Sequence, residues 1–169
     1  ISSALDGGCR WIMLREKDLP TNKRIALLSE LTNLATPYDA FILVNGDLTA
    51  AAEAGIEECV IDIRVGFRCG CEVDEAAQLA DRARASNIAV RGVMGYEGHA
   101  MGLVDVDRRR ELVKAAMERL LEAHSLVGGE LITGGGTGTH AINTWVNEIQ
   151  AGSYVLMDTA YTAQTDQPF

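Results

Sequence analysis

The chain has 169 residues, 47% hydrophobic and 23% charged, which is enough for one domain with a buried core. Its formal net charge of -9 argues against a nucleic acid or an anionic membrane as partner, because those surfaces require clustered Lys and Arg. No apolar run approaches the roughly 20 residues that span a bilayer. The opening ISSALDGGCRW has neither the basic start nor the apolar middle of a signal peptide, so a cytoplasmic protein is expected.

In chain order, short β-like runs alternate with helical stretches. CRWIML, residues 9–14, reads as a strand. Ile25, Leu28, Leu31, Leu34 and Ala35 then form one helical stripe, with Thr21 as its N-cap. AFILV (40–44) is a second strand, and LTAAAEAG (48–55) a short helix stopped by Gly55. ECVIDIRV (58–65) is a third strand. Val73, Ala76, Ala77, Ala80 and Ala83 mark the next helix, with Asp74 and Glu75 in its first turn, where the helix dipole favours them.

IAVRGVMGY (88–96) follows as a strand, and then the longest helix, 106–126. Val113, Met117, Leu120, Leu121 and His124 share one of its faces, His124 as a half-buried packing residue. Arg108-Arg109-Arg110 opens that helix as a solvated face. GELIT (129–133) and EIQAGSYVLMD (148–158) are the last two strands.

This alternation predicts an α/β fold derived from a (β/α) TIM barrel, with about six parallel strands and outer helices in a single domain, 1–169. An open doubly wound sheet fits the alternation equally. The barrel is favoured because the special residues collect just after strands: Arg15-Glu16-Lys17, Asn45-Gly46-Asp47, Arg68, 96–99 and two glycine turns. A (β/α)8 barrel takes about 250 residues, so this one is shortened by roughly two βα units. Six strands do not close with the usual stagger, and a homodimer covering the open edge is expected. Cys9, Cys59, Cys69 and Cys71 lack paired-motif spacing and the histidines lie far off in sequence. Reduced thiols are expected, and no metal site.

GGGTGT (134–139) can point several backbone N–H groups at one oxyanion, with Thr137 and Thr139 adding hydroxyls. Gly152-Ser153 supplies a second turn after the next strand. Neighbouring parallel strands set such loops side by side, so both turns could grip the phosphate of one small ligand. GYEGH brings Tyr96, Glu97 and His99 together, as acid–base equipment or as a hydrogen-bonded loop. Arg68 could meet an anion or a ring nitrogen, or lie on the surface. The dinucleotide fingerprint and the Walker motif are both missing.

Taken together, VIDIRVGFRCGC, RGVMGYEGHAMG, ITGGGTGTH, NEIQAGSYVLMDTAY and the terminal QPF resemble the barrel of the D-threonine aldolase and D-serine dehydratase family. That family belongs to the alanine-racemase-like, fold-type III enzymes that use pyridoxal 5'-phosphate, and the resemblance covers about 58–169. It implies a lyase acting on D-amino acids. Gly135, Gly136, Thr137 and Gly138, with Gly152 and Ser153, would hold the cofactor phosphate. Arg68 and Tyr96 would line the ring, with His99 close by, and Tyr154 and Asp158 would complete the last strand's site end. At the position of the family's Schiff-base lysine stands Pro20, followed by Thr21-Asn22-Lys23; Lys17 and Lys23 are candidates by location.

The front of the chain resembles a second family. ALDGGCRWIMLREKDLP, residues 4–20, looks like thiamine-phosphate synthase, another barrel, which would make Arg15 and Lys17 anion ligands in a Mg²⁺-dependent transferase. The chain thus reads as 1–57 of one character and 58–169 of another. A non-catalytic scaffold, recombined or designed, with a residual phosphate site is therefore the alternative to the enzyme.

Overall fold

The described strands pair in parallel throughout, and in three of the four pairs a helix carries the chain from one strand to its partner. The computed structural model describes residues 1–67, 69–156, 159–161 and 164. Its contacts divide into two compact units, Ile1–Glu57 with Ser86–Ile88, and Glu58–Ala85 with Ala89–Phe169. The described strands are parallel and six in number, as the sequence predicted, and form one sheet of two strands and another of four.

The first unit runs α1 (Ser2–Asp6), β1 (Trp11–Leu14), α2 (Thr21–Ala35), β2 (Phe41–Val44) and α3 (Leu48–Glu53). β1 and β2 pair from Trp11 with Phe41 to Leu14 with Val44. The two-residue period sends Leu14, Ile42 and Val44 onto α2 and α3, where Leu28, Leu31 and Ala50 complete a small core. The alternate residues Trp11, Met13, Phe41 and Leu43 are exposed, with Trp11 stacked on Phe41 at 4.5 Å. Thr21 does not cap α2. Pro20 takes that place, and the Thr21 hydroxyl instead donates to Asp47 Oδ2 at 3.2 Å. Asp47 caps α3 in turn, accepting from the Ala50 amide at 2.9 Å.

The second unit holds β3 (Glu58–Asp62), α4 (Val73–Ala85), β4 (Ala89–Gly95), α5 (Val106–Val127), β5 (Leu131–Gly134) and β6 (Glu148–Ile149), ordered β3-β4-β5-β6. Asp74 and Glu75 open α4 as expected, and Glu75 reaches back to the Glu72 amide at 2.9 Å. Asp105 caps α5 by accepting from the Arg108 amide at 3.0 Å. One face of α5 buries Val113, Ala116, Met117, Leu120 and Ala123 against Ile61, Ile63 and Val93 of the sheet side and Ala76 and Ala80 of α4. Each such large apolar side chain contributes about 1.5–3 kcal/mol on burial. His124 is half-buried at the end of α5, where its Nε2 lies 2.9 Å from the Gly129 carbonyl.

Two expectations are corrected here. Arg109 is fully buried, and its guanidinium donates to the Leu103 carbonyl. It lies on the apolar stripe with Val113, Ala116 and Leu120, so helical periodicity overrides its charge. Arg108 and Arg110 do stay exposed, paired with Glu111 and Asp107. The sixth strand is also far shorter than expected. Among the described residues only Thr133–Glu148 and Gly134–Ile149 pair, and β5 ends at Gly134. Ser153–Val155 is a 3₁₀ turn instead.

A bulge interrupts β3 and β4: Cys59 faces Val90 and Val60 faces Gly92, which leaves Arg91 as the extra residue. From there Arg91 reaches Glu58 at 2.6 Å and also Glu130, bridging three neighbouring segments of chain. The hydrogen bond from Arg91 holds the exposed Glu130 carboxyl below its ordinary range, and Glu130 raises Arg91 in return. Among the described residues no helix is long and apolar enough to cross a membrane.

Candidate functional site

β4 and β5 pair from Gly92 with Leu131 to Gly95 with Gly134, so the two strands end level and their following loops leave side by side. Glycine at these ends is a packing requirement. A Cβ on Gly134 would sit 2.7 Å from the Gly95 carbonyl oxygen, and one on Gly95 only 3.2 Å from Leu120 Cδ1. The same holds inside the glycine-rich loop. A Cβ on Gly138 would lie 2.4 Å from the Met101 carbonyl oxygen, and one on Gly136 2.8 Å from Met101 Sδ and 2.9 Å from Tyr96 Cε2. The glycine run is therefore needed, at least in part, to fit against the loop that carries Tyr96 and Met101.

Glu97 joins the two loops. It is fully buried, and its carboxylate accepts from the Gly135 amide at 3.0 Å, the Thr139 hydroxyl at 2.8 Å and Asn143 Nδ2 at 3.0 Å. Thr139 Oγ1 also accepts from the Gly136 amide at 3.1 Å. Of the two readings open for GYEGH, this geometry is that of a hydrogen-bonded loop for Glu97. His99 packs directly on Gly66, where an added Cβ would meet its Nδ1 at 2.2 Å, and that nitrogen is buried with no protein partner among the described residues. The Phe67 ring stands edge-on to His99 at 5.4 Å.

A cavity of about 300 Å³ opens beside these loops, lined by Tyr96, Gly136, Thr137, Gln150, Gly152 and Ser153. Thr137 Oγ1 accepts from the Tyr154 amide at 3.0 Å, which ties the two glycine turns together. The backbone amides of Thr137, Gly138, Gly152 and Ser153 make no hydrogen bond among the described residues. Among the described residues no charged side chain lines the cavity.

Of the residues that the sequence singled out, the structure brings Tyr96, Gly136, Thr137, Gly152 and Ser153 together around this cavity. Gly135 and Gly138 are in the same loop but off its wall: one donates to Glu97 and the other packs on Met101. Tyr154 sits exposed in the 3₁₀ turn, not at a strand end. Lys17 follows β1 and Lys23 lies in the first turn of α2, both exposed in the first unit. Arg68 and Asp158, with the terminal QPF, lie outside the described residues. Gln150 escaped the sequence reading. Its amide continues the β6 pairing by donating to the Gly134 carbonyl at 2.9 Å, and its Nε2 donates to Thr133 Oγ1 at 3.1 Å. Its position two residues before Gly152 was the available signal.

The thiamine monophosphate synthase family matches residues 1–62. Over 128 residues the chain is 31% identical to the 3-hydroxy-D-aspartate aldolase of Paracoccus denitrificans (strain Pd 1222), which covers 68% of this chain and 33% of that protein. The D-threonine aldolase of Filomicrobium marinum superposes with a TM-score of 0.73 at 25% identity, over 97% of this chain and 49% of the other. An alanine racemase of Bartonella henselae, solved with covalently bound pyridoxal phosphate, gives a TM-score of 0.59 at 13% identity, over 99% and 51%. The chain thus spans a third of the curated relative and about half of each solved structure. Fold and sequence together place it in the alanine-racemase-like, fold-type III family of barrels, alongside D-threonine aldolase.

Proposed function

We propose that the second unit holds the phosphate group of pyridoxal 5'-phosphate, and that the protein is a lyase of D-amino acids. The observation that carries this is the cavity between the two glycine turns, whose wall offers unengaged amides at Thr137, Gly152 and Ser153. The donor set fits a phosphate: amides and the Thr137 and Ser153 hydroxyls can donate, and among the described residues no carboxylate lines the wall to repel a dianion. Tyr96 lines the same cavity and, with Arg68, is one of the two residues that the resemblance sets beside the cofactor ring. The bound cofactor supplies an electron sink for bonds at the α-carbon of an amino acid.

The chain's own residues would bind and orient that group. Gly136 lets the backbone approach closely, and Thr137 fixes the second turn through the Tyr154 amide. His99 packs its buried Nδ1 against Gly66 and is not among the described residues that line the cavity. Among the described residues no lysine lines the cavity, and Lys17 and Lys23 are candidates by sequence position alone.

One observation favours a second reading. The thiamine monophosphate synthase match ends at residue 62, close to the division of the two units after Glu57, as in a recombined chain that binds phosphate without turnover. A transferase using Arg15 and Lys17 as anion ligands would rest on that match alone.

Equilibrium binding of pyridoxal 5'-phosphate against pyridoxal, followed by borohydride reduction and peptide mass mapping, tests both. The lyase reading expects tighter binding of the phosphorylated form and a pyridoxyl mass on a lysine. Phosphate-dependent binding with no lysine adduct selects the scaffold, and equal binding of the two compounds rejects both. Gly136→Asp, which sets a carboxylate against the cavity, is expected to weaken the phosphorylated ligand at least about tenfold, on the order of 1.4 kcal/mol.

A further inference from the structure

We infer that Glu97 is a positioning residue for this phosphate site, acting through the glycine-rich turn without touching the ligand. The inference rests on the proposed phosphate reading for what the site holds. Glu97 comes from the loop after β4, and its three donors Gly135, Thr139 and Asn143 come from the loop after β5. Its chain neighbour Tyr96 lines the cavity, as do Gly136 and Thr137 of the glycine-rich turn. The carboxylate thus ties the loop that carries Tyr96 to the turn that carries Gly136 and Thr137.

The hydrogen bonds run in one sense. Gly135 N–H donates to Oε2, and Gly136 N–H donates to Thr139 Oγ1, whose own hydroxyl donates to Oε1. Two consecutive amides of the glycine turn are therefore held, directly and through Thr139, by one side chain. The first amide left unengaged is that of Thr137, at the cavity wall. A buried carboxylate persists when its oxygens are hydrogen-bonded, and here both are. Glutamine cannot replace it. It keeps one acceptor oxygen and turns an NH₂ group toward a second donor, Gly135 N–H or the Thr139 and Asn143 pair.

The test uses inorganic phosphate as probe on the full chain, with three variants: Glu97→Gln, Thr139→Val and Thr139→Ser. Thr139→Val keeps the shape but breaks the relay to Gly136, whereas Thr139→Ser retains the hydroxyl. Phosphate affinity, exchange of the Gly135 and Gly136 amides, and the denaturation midpoint are measured together, with binding read far below the midpoint. Glu97→Gln and Thr139→Val are expected to speed exchange of those amides and to weaken phosphate at least about tenfold, about 1.4 kcal/mol, with Thr139→Ser close to the parent.

Binding and amide exchange like the parent in Glu97→Gln and Thr139→Val would overturn the inference. So would a fall in affinity that Thr139→Ser shares equally, since that marks loss of packing. If the parent chain itself binds no phosphate, the functional reading fails. Amide exchange still decides the positioning role, because faster exchange in Glu97→Gln supports it and unchanged exchange overturns it.

Discussion

Gly92→Ala is expected to disrupt the pairing of β4 with β5 and to destabilise the second unit by roughly 3–5 kcal/mol, at the top of the range for one substitution. Gly92 sits at φ +152° beside the bulge, and a Cβ there would lie 1.8 Å from the Leu131 carbonyl oxygen and 2.7 Å from its carbonyl carbon. Both are backbone atoms in the partner strand, so no side chain can move aside. The strand would have to separate from Leu131, and the level ending of β4 and β5 that sets the two site loops side by side would go with it. Urea unfolding followed by hydrogen exchange in β5 measures this. A midpoint within about 0.5 kcal/mol of the parent would contradict it.

Leu120→Ala carries the second large effect, a loss of about 2–5 kcal/mol from the cavity left behind. Leu120 is fully buried in the core of the second unit, and its two methyls reach toward Gly95 and Gly134, the last residues of β4 and β5. Glycine at those strand ends leaves the room that this side chain fills. Removing it takes the support from under both site loops, so phosphate affinity is expected to fall together with stability. Denaturant unfolding and phosphate binding on the same samples check this. A stability loss under about 1 kcal/mol would show that the strand ends do not depend on Leu120.

Much of the fold was legible because its signals are local. The stripes of α2, α4 and α5 and the short β-branched runs of β3 and β4 need only neighbouring residues to be read. Where pairing partners decide the outcome, local pattern failed. The run 148–158 has strand composition, but among its described residues only two find a ladder, at the end of β5. Arg109 was read from its charged neighbours, whereas its place on the buried stripe governs.

The candidate site divides in the same way. Glycine content pointed to 134–138 and to Gly152, and four of the six residues expected to hold the phosphate do line one cavity. The sequence offered no sign that several of those glycines are fixed by contact with Met101 and Gly95, because such contacts depend on strand register. Glu97 was visible as a carboxylate, but its partners lie about 40 positions further on, beyond the reach of any local pattern. Gln150 became part of the wall only through the short β6 pairing.

The central claim is that the two glycine turns form one phosphate-binding cavity. Its most direct test is a phosphate titration of the ¹⁵N-labelled chain, following every backbone amide. The account predicts saturable shifts, with a single affinity, concentrated at Thr137, Gly152 and Ser153. Unchanged resonances at these three amides, or shifts centred on Arg15 and Lys17 of the first unit, would contradict it.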